Sequence, residues 1–316
     1  MKVSILVNAY NEERYLKEAL DSALAQTFGD FELVVLDDQS TDRTPEIVKE
    51  YTDPRVRYVR PAQRLGLVGG RNELLRQSRG EYLTYLDADD IYLPTKVEEE
   101  VLFLEQHPDC AAAYCDLGYF FDGDPGRLYR HRYEFYSGPD VFPNLLEKMF
   151  ITNTAVMFRR RVYEEIGGYR SEMGIVEDWD YFLRMAYVGY QIVFLEKDLV
   201  RYRLRWDSHT NFARQQEIKE SAVKIFEDLR SRMPEEDRAR YHIDRWVADR
   251  KEAYAVTLAA AGEGRKARAM LKEAATYVGF LKRAAIVTLS FLPGSLAGTL
   301  VEWAWDWKKK NLFIPI

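Results

Sequence analysis

Three carboxylates close an apolar run at Tyr82-Leu83-Thr84-Tyr85-Leu86-Asp87-Ala88-Asp89-Asp90. A run of apolar and aromatic β-formers reads as an interior strand, and acids at its C-terminal end stand where open α/β sheets bind their ligands. Asp87 and Asp89, two residues apart, point the same way if the extended backbone persists. Carboxylates aimed at one spot repel each other unless a cation lies between them, and hard divalent ions such as Mg2+ or Mn2+ prefer oxygen ligands. The chemistry this pair suits is holding a metal against phosphates. The competing reading is a solvated turn, with Asp90 an acidic residue ahead of Pro94 at the start of the next helix.

The elements that must position these acids alternate between two periods. Val3 to Val7 reads as a strand, and Leu16, Ala19, Leu20, Ala23 and Leu24 form one helical stripe. Phe31 to Leu36 is a second strand that also ends in acids, Asp37 and Asp38, before the polar turn Gln39-Ser40-Thr41-Asp42. Pro45 suits a first helical position. Val56 to Val59 is a third strand, Gly70 to Ser78 a helix, and Tyr82 to Leu86 the fourth strand. Strands alternating with helices predict an α/β fold with a doubly wound, mostly parallel sheet. Asn8 to Glu12, Asp37-Asp38 and Asp87 to Asp89 then converge on one edge. The first strand-to-helix turn carries no G-x-G-x-x-G, which argues against a dinucleotide-dependent dehydrogenase.

Composition limits the function further. The chain has 316 residues, 47% hydrophobic and 30% charged, enough for one main domain and a smaller addition. A net charge of −6 gives nucleic-acid binding no electrostatic support. The two cysteines, Cys110 and Cys115, suit neither a disulfide framework nor a zinc site and fit a reducing compartment. Val3 to Val7 passes straight into Asn8 and the polar run Asn11-Glu12-Glu13-Arg14, too short for a signal-peptide core, so a cytoplasmic location is expected.

A second constellation is Glu177-Asp178-Trp179-Asp180-Tyr181-Phe182-Leu183-Arg184. Trp179, Phe182, Leu183 and Ala186 follow helical spacing, so Asp178 falls at a helix start, where the dipole and free N–H groups favour its ionised form. For a lone Glu-Asp pair an N-cap is the reading that wins.

Taken together, Val3 to Glu12, Ser22-Ala23-Leu24-Ala25-Gln26-Thr27-Phe28, Asp37 to Asp42, Gly70-Arg71-Asn72 and Gly80-Glu81-Tyr82 through Asp90 resemble the family 2 inverting glycosyltransferases, which have the GT-A, Rossmann-like fold. The match runs in order over roughly residues 2 to 210. The resemblance implies that Tyr10 lies against the nucleotide base and that Asp38 accepts a hydrogen bond from its ring. An aromatic platform beside an acceptor suits uracil or thymine. It implies further that Ala9, Glu12 and Arg71 belong to the nucleotide site, that Asp87 lies near the ribose, and that Asp89 is the ligand of a divalent cation, Mn2+ or Mg2+, bridging to the diphosphate. Tyr10 as a cover for the first helix and Arg71 as a surface arginine are the bland alternatives. Asp178 matches the catalytic base and Glu177 its neighbour in the family's Glu-Asp motif.

The implied reaction is a single displacement at the anomeric carbon of a nucleoside-diphosphate sugar by an acceptor hydroxyl, with inversion. A UDP-sugar is expected, with dTDP- and GDP-sugars as alternatives. The acceptor is a glycan or a lipid-linked glycan, as in cell-surface polysaccharide synthesis. Arg201, Arg203 and Arg205 follow a strand and are candidates to close over the phosphates, against the reading of a solvated basic edge. Arg205 stands where family members often have histidine, which puts a metal or phosphate role for His209 in doubt. Tyr129, His131, Tyr133 and Tyr136 are candidates for an acceptor groove, or aromatics packed on the sheet. A non-catalytic sugar-nucleotide-binding protein and a sugar nucleotidyltransferase are the rival classes. The first has no need of Asp178, and the second is expected to carry a Gly-rich basic loop that Asn8-Ala9-Tyr10-Asn11 is not.

The division expected is a transferase domain over 1–212 and a helical region over 213–316. Ala253 to Ala261 and Ala267 to Tyr277 read as a helical hairpin around Gly262-Glu263-Gly264. Ala284 to Val301 is uncharged but broken by Pro293-Gly294, and Trp303, Trp305, Trp307 and Lys308-Lys309-Lys310 follow. That grouping suits a lipid headgroup region, so peripheral attachment to the inner face of the membrane competes with packing on protein.

Overall fold

The computed structural model describes residues 1–131, 134–205, 214–274, 276–277, 279–291, 299 and 313–315. His209, Tyr133, the side chain of His131, and Trp303 through Lys310 lie outside the described residues. Two compact units emerge, Met1–Ser171 with Glu177–Arg205, and Glu172–Val176 with the chain from Trp206 to Ile314.

The first unit is built on β1 (Val3–Ala9), β2 (Phe31–Asp37), β3 (Val56–Val59) and β4 (Tyr82–Tyr85), all parallel, in the spatial order β4-β1-β2-β3. Register places Ala9 opposite Asp37 and Leu6 opposite Tyr85, so the polar ends of β1, β2 and β4 do reach one edge. Strands β1, β2 and β4 are buried on both faces, which is why they read as largely apolar runs, whereas β3 is half-buried throughout. Helix α1 (Leu16–Leu24) buries Leu16, Ala19, Leu20 and Ala23, each leucine worth roughly 1.5–3 kcal/mol relative to exposure. Helix α2 (Thr44–Lys49) begins with Pro45 in its first turn, as its fixed φ favours.

Helix α3 spans Gly66–Gln77, four residues longer at its start than apolar spacing indicates. The reason is remote. Asp38 accepts the N–H groups of Leu65 and Gly66 at 2.6 and 2.8 Å, satisfying donors that the local sequence leaves orphaned. After α3 the chain turns tightly over β1 at Gly80, where a Cβ would collide with the backbone of Val3 and Ser4.

Beyond β4 come β5 (Ile91–Tyr92), α4 (Lys96–Gln106), β6 (Cys110–Phe121), β7 (Asp124–His131), α5 (Val141–Glu147), β8 (Val156–Arg159), α6 (Arg160–Ile166), α7 (Glu177–Tyr187) and β9 (Gln191–Leu204). Here antiparallel pairings join the sheet: β8 lies between β4 and β6, and β7 pairs with β6, while β9 runs parallel to β6. The stretch from Tyr119 to Gly138 opens with a hairpin. Its turn includes Gly123 at φ +98°, a conformation glycine adopts at little cost. The pairing of β6 with β9 carries the strand as far as Phe121, a partner 83 residues away in sequence at Leu204.

The second unit contains α8 (Gln215–Arg232), α9 (Glu235–Arg240), α10 (Ile243–Ala260), α11 (Gly264–Glu273) and α12 (Phe280–Leu289). The expected hairpin forms between α10 and α11 around Gly262 at φ +80°. Ala248, Ala255, Leu271, Ala274 and Ile286 share a small core, and Lys251 Nζ pairs at 2.6 Å with both Glu227 and Glu273. Among the described residues, no helix is long and apolar enough to cross a membrane.

Candidate active site

At the end of β1, Tyr10 is 36% exposed with the Arg64 guanidinium 3.6 Å above its ring centroid. Arg64 Nε lies 3.9 Å from Asp38 Oδ2. Asp38 is buried, its carboxylate bound to the loop at Leu65 and Gly66 and its own N–H donated to the Ala9 carbonyl at 2.8 Å. Tyr10, Ala9, Asp38 and Arg64 therefore form one corner. Arg64 escaped sequence reasoning because Pro61-Ala62-Gln63-Arg64 has no pattern of its own; only the fold of the loop sets it on Tyr10. Asp37, by contrast, is consumed by Arg60, by the Tyr58 hydroxyl at 2.7 Å and by the Ser40 N–H at 2.8 Å.

Along the edge, Asp89 meets Arg205, whose Nε lies 3.4 Å from Oδ2, and the same guanidinium reaches Glu12 at 2.7 Å. Arg203 is nearly buried; its backbone N–H donates to Asp90 Oδ1 at 3.0 Å, its Nε to the Asp89 carbonyl at 2.9 Å, and its Nη2 to Glu18 at 2.5 Å. Both guanidinium groups lie over the Tyr15 ring, at 4.7 and 4.9 Å. Two of the three arginines expected to cover phosphates thus hold protein acids here. Arg201 pairs with Asp198 on its own strand at 2.5 Å.

The second cluster centres on α7. Glu177 is buried and ion-paired with Arg71, itself buried, and Arg71 Nη2 lies 3.4 Å from Asp87 Oδ1. Asp178, half-buried in the first helical turn, accepts the Trp179 N–H at 2.9 Å. Desolvation by the surrounding protein and then the charge of Glu177 push its carboxyl up to about 7, against the opposing pull of Arg71. The Trp179 indole N–H donates to the Leu145 carbonyl at 2.8 Å, fixing α7 on α5. Asp87 belongs to both clusters: beside Arg71 on one side, two residues from Asp89 on the other.

Burial and the neighbouring Asp87 likewise push the Asp89 carboxyl up to about 7. Crowded, hard oxygen donors of this kind suit a divalent cation. Among the described residues no three candidate ligands gather into a cage.

The "Glycosyl transferase family 2" model matches residues 4–167. The chain belongs to glycosyl transferase family 2. The putative glycosyltransferase EpsE of Bacillus subtilis is 30% identical over 218 residues, spanning 66% of this chain and 74% of that protein. Among solved structures, S. aureus TarS 1–349 in complex with UDP-GlcNAc superposes with a TM-score of 0.67 at 20% identity, over 92% of this chain and 90% of that one. The mannosyltransferase PcManGT from Pyrobaculum calidifontis, in complex with GDP-Man and Mn2+, gives 0.59 at 21% identity, over 91% and 79%. At these identities the likeness is one of fold, and the α/β fold of this family 2 glycosyltransferase is of the GT-A type.

Proposed function

We propose that the chain transfers a sugar with inversion from a nucleoside-diphosphate sugar to an acceptor hydroxyl, with Asp178 as the base. The observation that carries this reading is the placement of Asp178 at the start of α7, next to Glu177, whose pair with Arg71 reaches Asp87 on the acid edge; burial and the charge of Glu177 raise the Asp178 carboxyl toward the range a base needs. Tyr10, Ala9, Asp38 and Glu12 form the nucleotide end and Asp87 faces the ribose. TarS binding UDP-GlcNAc and PcManGT binding GDP-Man support a nucleotide-sugar donor, and the Tyr10–Asp38 corner favours UDP.

Asp178 takes the proton from the acceptor hydroxyl. That oxygen attacks the anomeric carbon, the bond from this carbon to the diphosphate oxygen breaks on the opposite face, and the nucleoside diphosphate leaves with the bonding pair. Asp89 would hold a Mn2+ or Mg2+ ion, which when bound supplies Lewis-acid neutralisation of the diphosphate. Arg203 and Arg205 keep the acid edge in shape until the donor arrives.

The test is to supply UDP-, GDP- and dTDP-sugars with Mn2+ and identify what is released. Nucleoside diphosphate with an inverted product anomer supports the reading; tight donor binding without release would make the chain a binding protein, and pyrophosphate released when a nucleoside triphosphate and a sugar 1-phosphate are supplied instead would make it a nucleotidyltransferase.

We propose in addition that 1–212 is the transferase domain and that 213–316 holds it peripherally at the inner face of a membrane, near a lipid-linked glycan acceptor. The support is the sequence group Trp303, Trp305, Trp307 and Lys308-Lys309-Lys310. Co-sedimentation with anionic liposomes, compared with a chain truncated at Lys282, decides it: equal partitioning to the supernatant at low salt ends the idea.

A further inference from the structure

Arg71 and Glu177 stand 106 residues apart and meet as a buried ion pair. The arginine sits on α3, the glutamate immediately before Asp178 on α7. Arg71 also reaches Asp87 Oδ1 at 3.4 Å, and its guanidinium lies 5.9 and 5.7 Å from the rings of Tyr85 and Tyr169. Its backbone carbonyl accepts the Tyr85 hydroxyl at 3.0 Å. Next to it, Asn72 exchanges two hydrogen bonds with the backbone of Tyr169, both at 2.8 Å. Helix α3 is therefore fastened at two consecutive residues to the segment that leads into the base, and at one of them to the acid edge as well.

Resting on the reading of Asp178 as the base, we propose that Arg71 is a positioning residue for it: through Glu177 it fixes the first turn of α7, and through Asp87 it sets that turn against the donor edge. A guanidinium 7% exposed and shared between two carboxylates is poorly placed to leave them for a nucleotide. The same arrangement balances charge around Asp178. Glu177 and Asp87 act on it as carboxylates, and Arg71 is the cation among them. Removing the arginine alone should hold the Asp178 proton more tightly; removing Glu177 alone should loosen it.

The experiment compares the full chain with Arg71→Met, Glu177→Gln and the double variant Arg71→Met/Glu177→Gln, which removes both members of the buried pair if a single change fails to fold. Two readouts are taken: UDP affinity in the presence of Mn2+, and the Asp178 titration midpoint by carbon-13 carboxyl NMR, assigned with Asp178→Asn. The expected result is UDP affinity within about 3-fold throughout, a midpoint raised by Arg71→Met, lowered by Glu177→Gln and close to wild type in the double variant. Turnover should fall about 10-fold or more in each. A 10-fold or greater loss of UDP affinity in Arg71→Met with the midpoint unchanged would make Arg71 a nucleotide ligand and overturn the proposal. The NMR midpoint is read without turnover, so an enzyme that transfers no sugar leaves this outcome legible.

Discussion

Arg205 Nε lies 3.4 Å from Asp89 Oδ2 while the same guanidinium holds Glu12 at 2.7 Å. An arginine from the end of β9 thus faces the acid that the resemblance assigns to the metal, so a cation bound there would compete with Arg205 for one carboxylate.

Asp89→Ala should abolish transfer and Mn2+-dependent UDP binding, since the link from protein to diphosphate is lost. Calorimetric titration with and without chelator checks this, and turnover by the variant in chelator would refute the assignment. Arg205→Gln should tighten Mn2+ binding in the absence of nucleotide, because a competing positive charge is gone. Unchanged affinity would show that Arg205 yields its place without cost.

Asp178→Asn should keep UDP affinity and lower turnover by about 100-fold or more, because an amide cannot take the acceptor's proton. A weakened Kd with normal kcat would instead mark a binding residue.

The pH dependence has two opposite signs. As a base, Asp178 must be ionised, so kcat/KM should fall as pH drops through about 7. For stability, a carboxyl whose folded pKa is raised contributes fully below its unfolded value near 4 and loses that contribution as pH rises through about 7. Asp178→Asn should therefore gain Tm relative to wild type between pH 5 and pH 8. A Tm difference that is flat with pH would contradict the raised carboxyl.

Lys96 and Glu100, fully buried on α4, pair at 2.7 Å, and Lys96 Nζ also lies 3.2 Å from Thr84 Oγ1 on β4. Burial opposes the lysine's charge, but the Glu100 carboxylate outweighs it and raises the lysine, while burial pushes Glu100 itself up to about 7 against the pull of Lys96. Lys96→Met should cost about 3–5 kcal/mol by stranding Glu100, whereas Lys96→Met/Glu100→Leu should be near neutral. Urea unfolding measures both; equal losses in the two would show that packing, not charge, governs the site.

How much was legible follows from what is local. Strand and helix periodicity, with acids closing β2 and β4, follows from residues a few positions apart, and parallel pairing then carries Tyr10, Asp38 and Asp87 to one edge. The helical hairpin at Gly262 was legible for the same reason. What local spacing cannot contain is partnership across the chain. Asp38 caps α3 across 27 residues, Arg71 meets Glu177 across 106, and Arg205 finds Glu12 across 193.

A carboxylate or guanidinium buried by the fold must be paired, and which partner it takes depends on which elements the sheet brings together, not on its neighbours in sequence. The sequence by itself thus determined the α/β frame and the acids at its edge. Only the tertiary structure decided that Arg64 covers Tyr10, that β6 and β7 form a hairpin, and that Arg71, Arg203 and Arg205 are each committed to protein carboxylates.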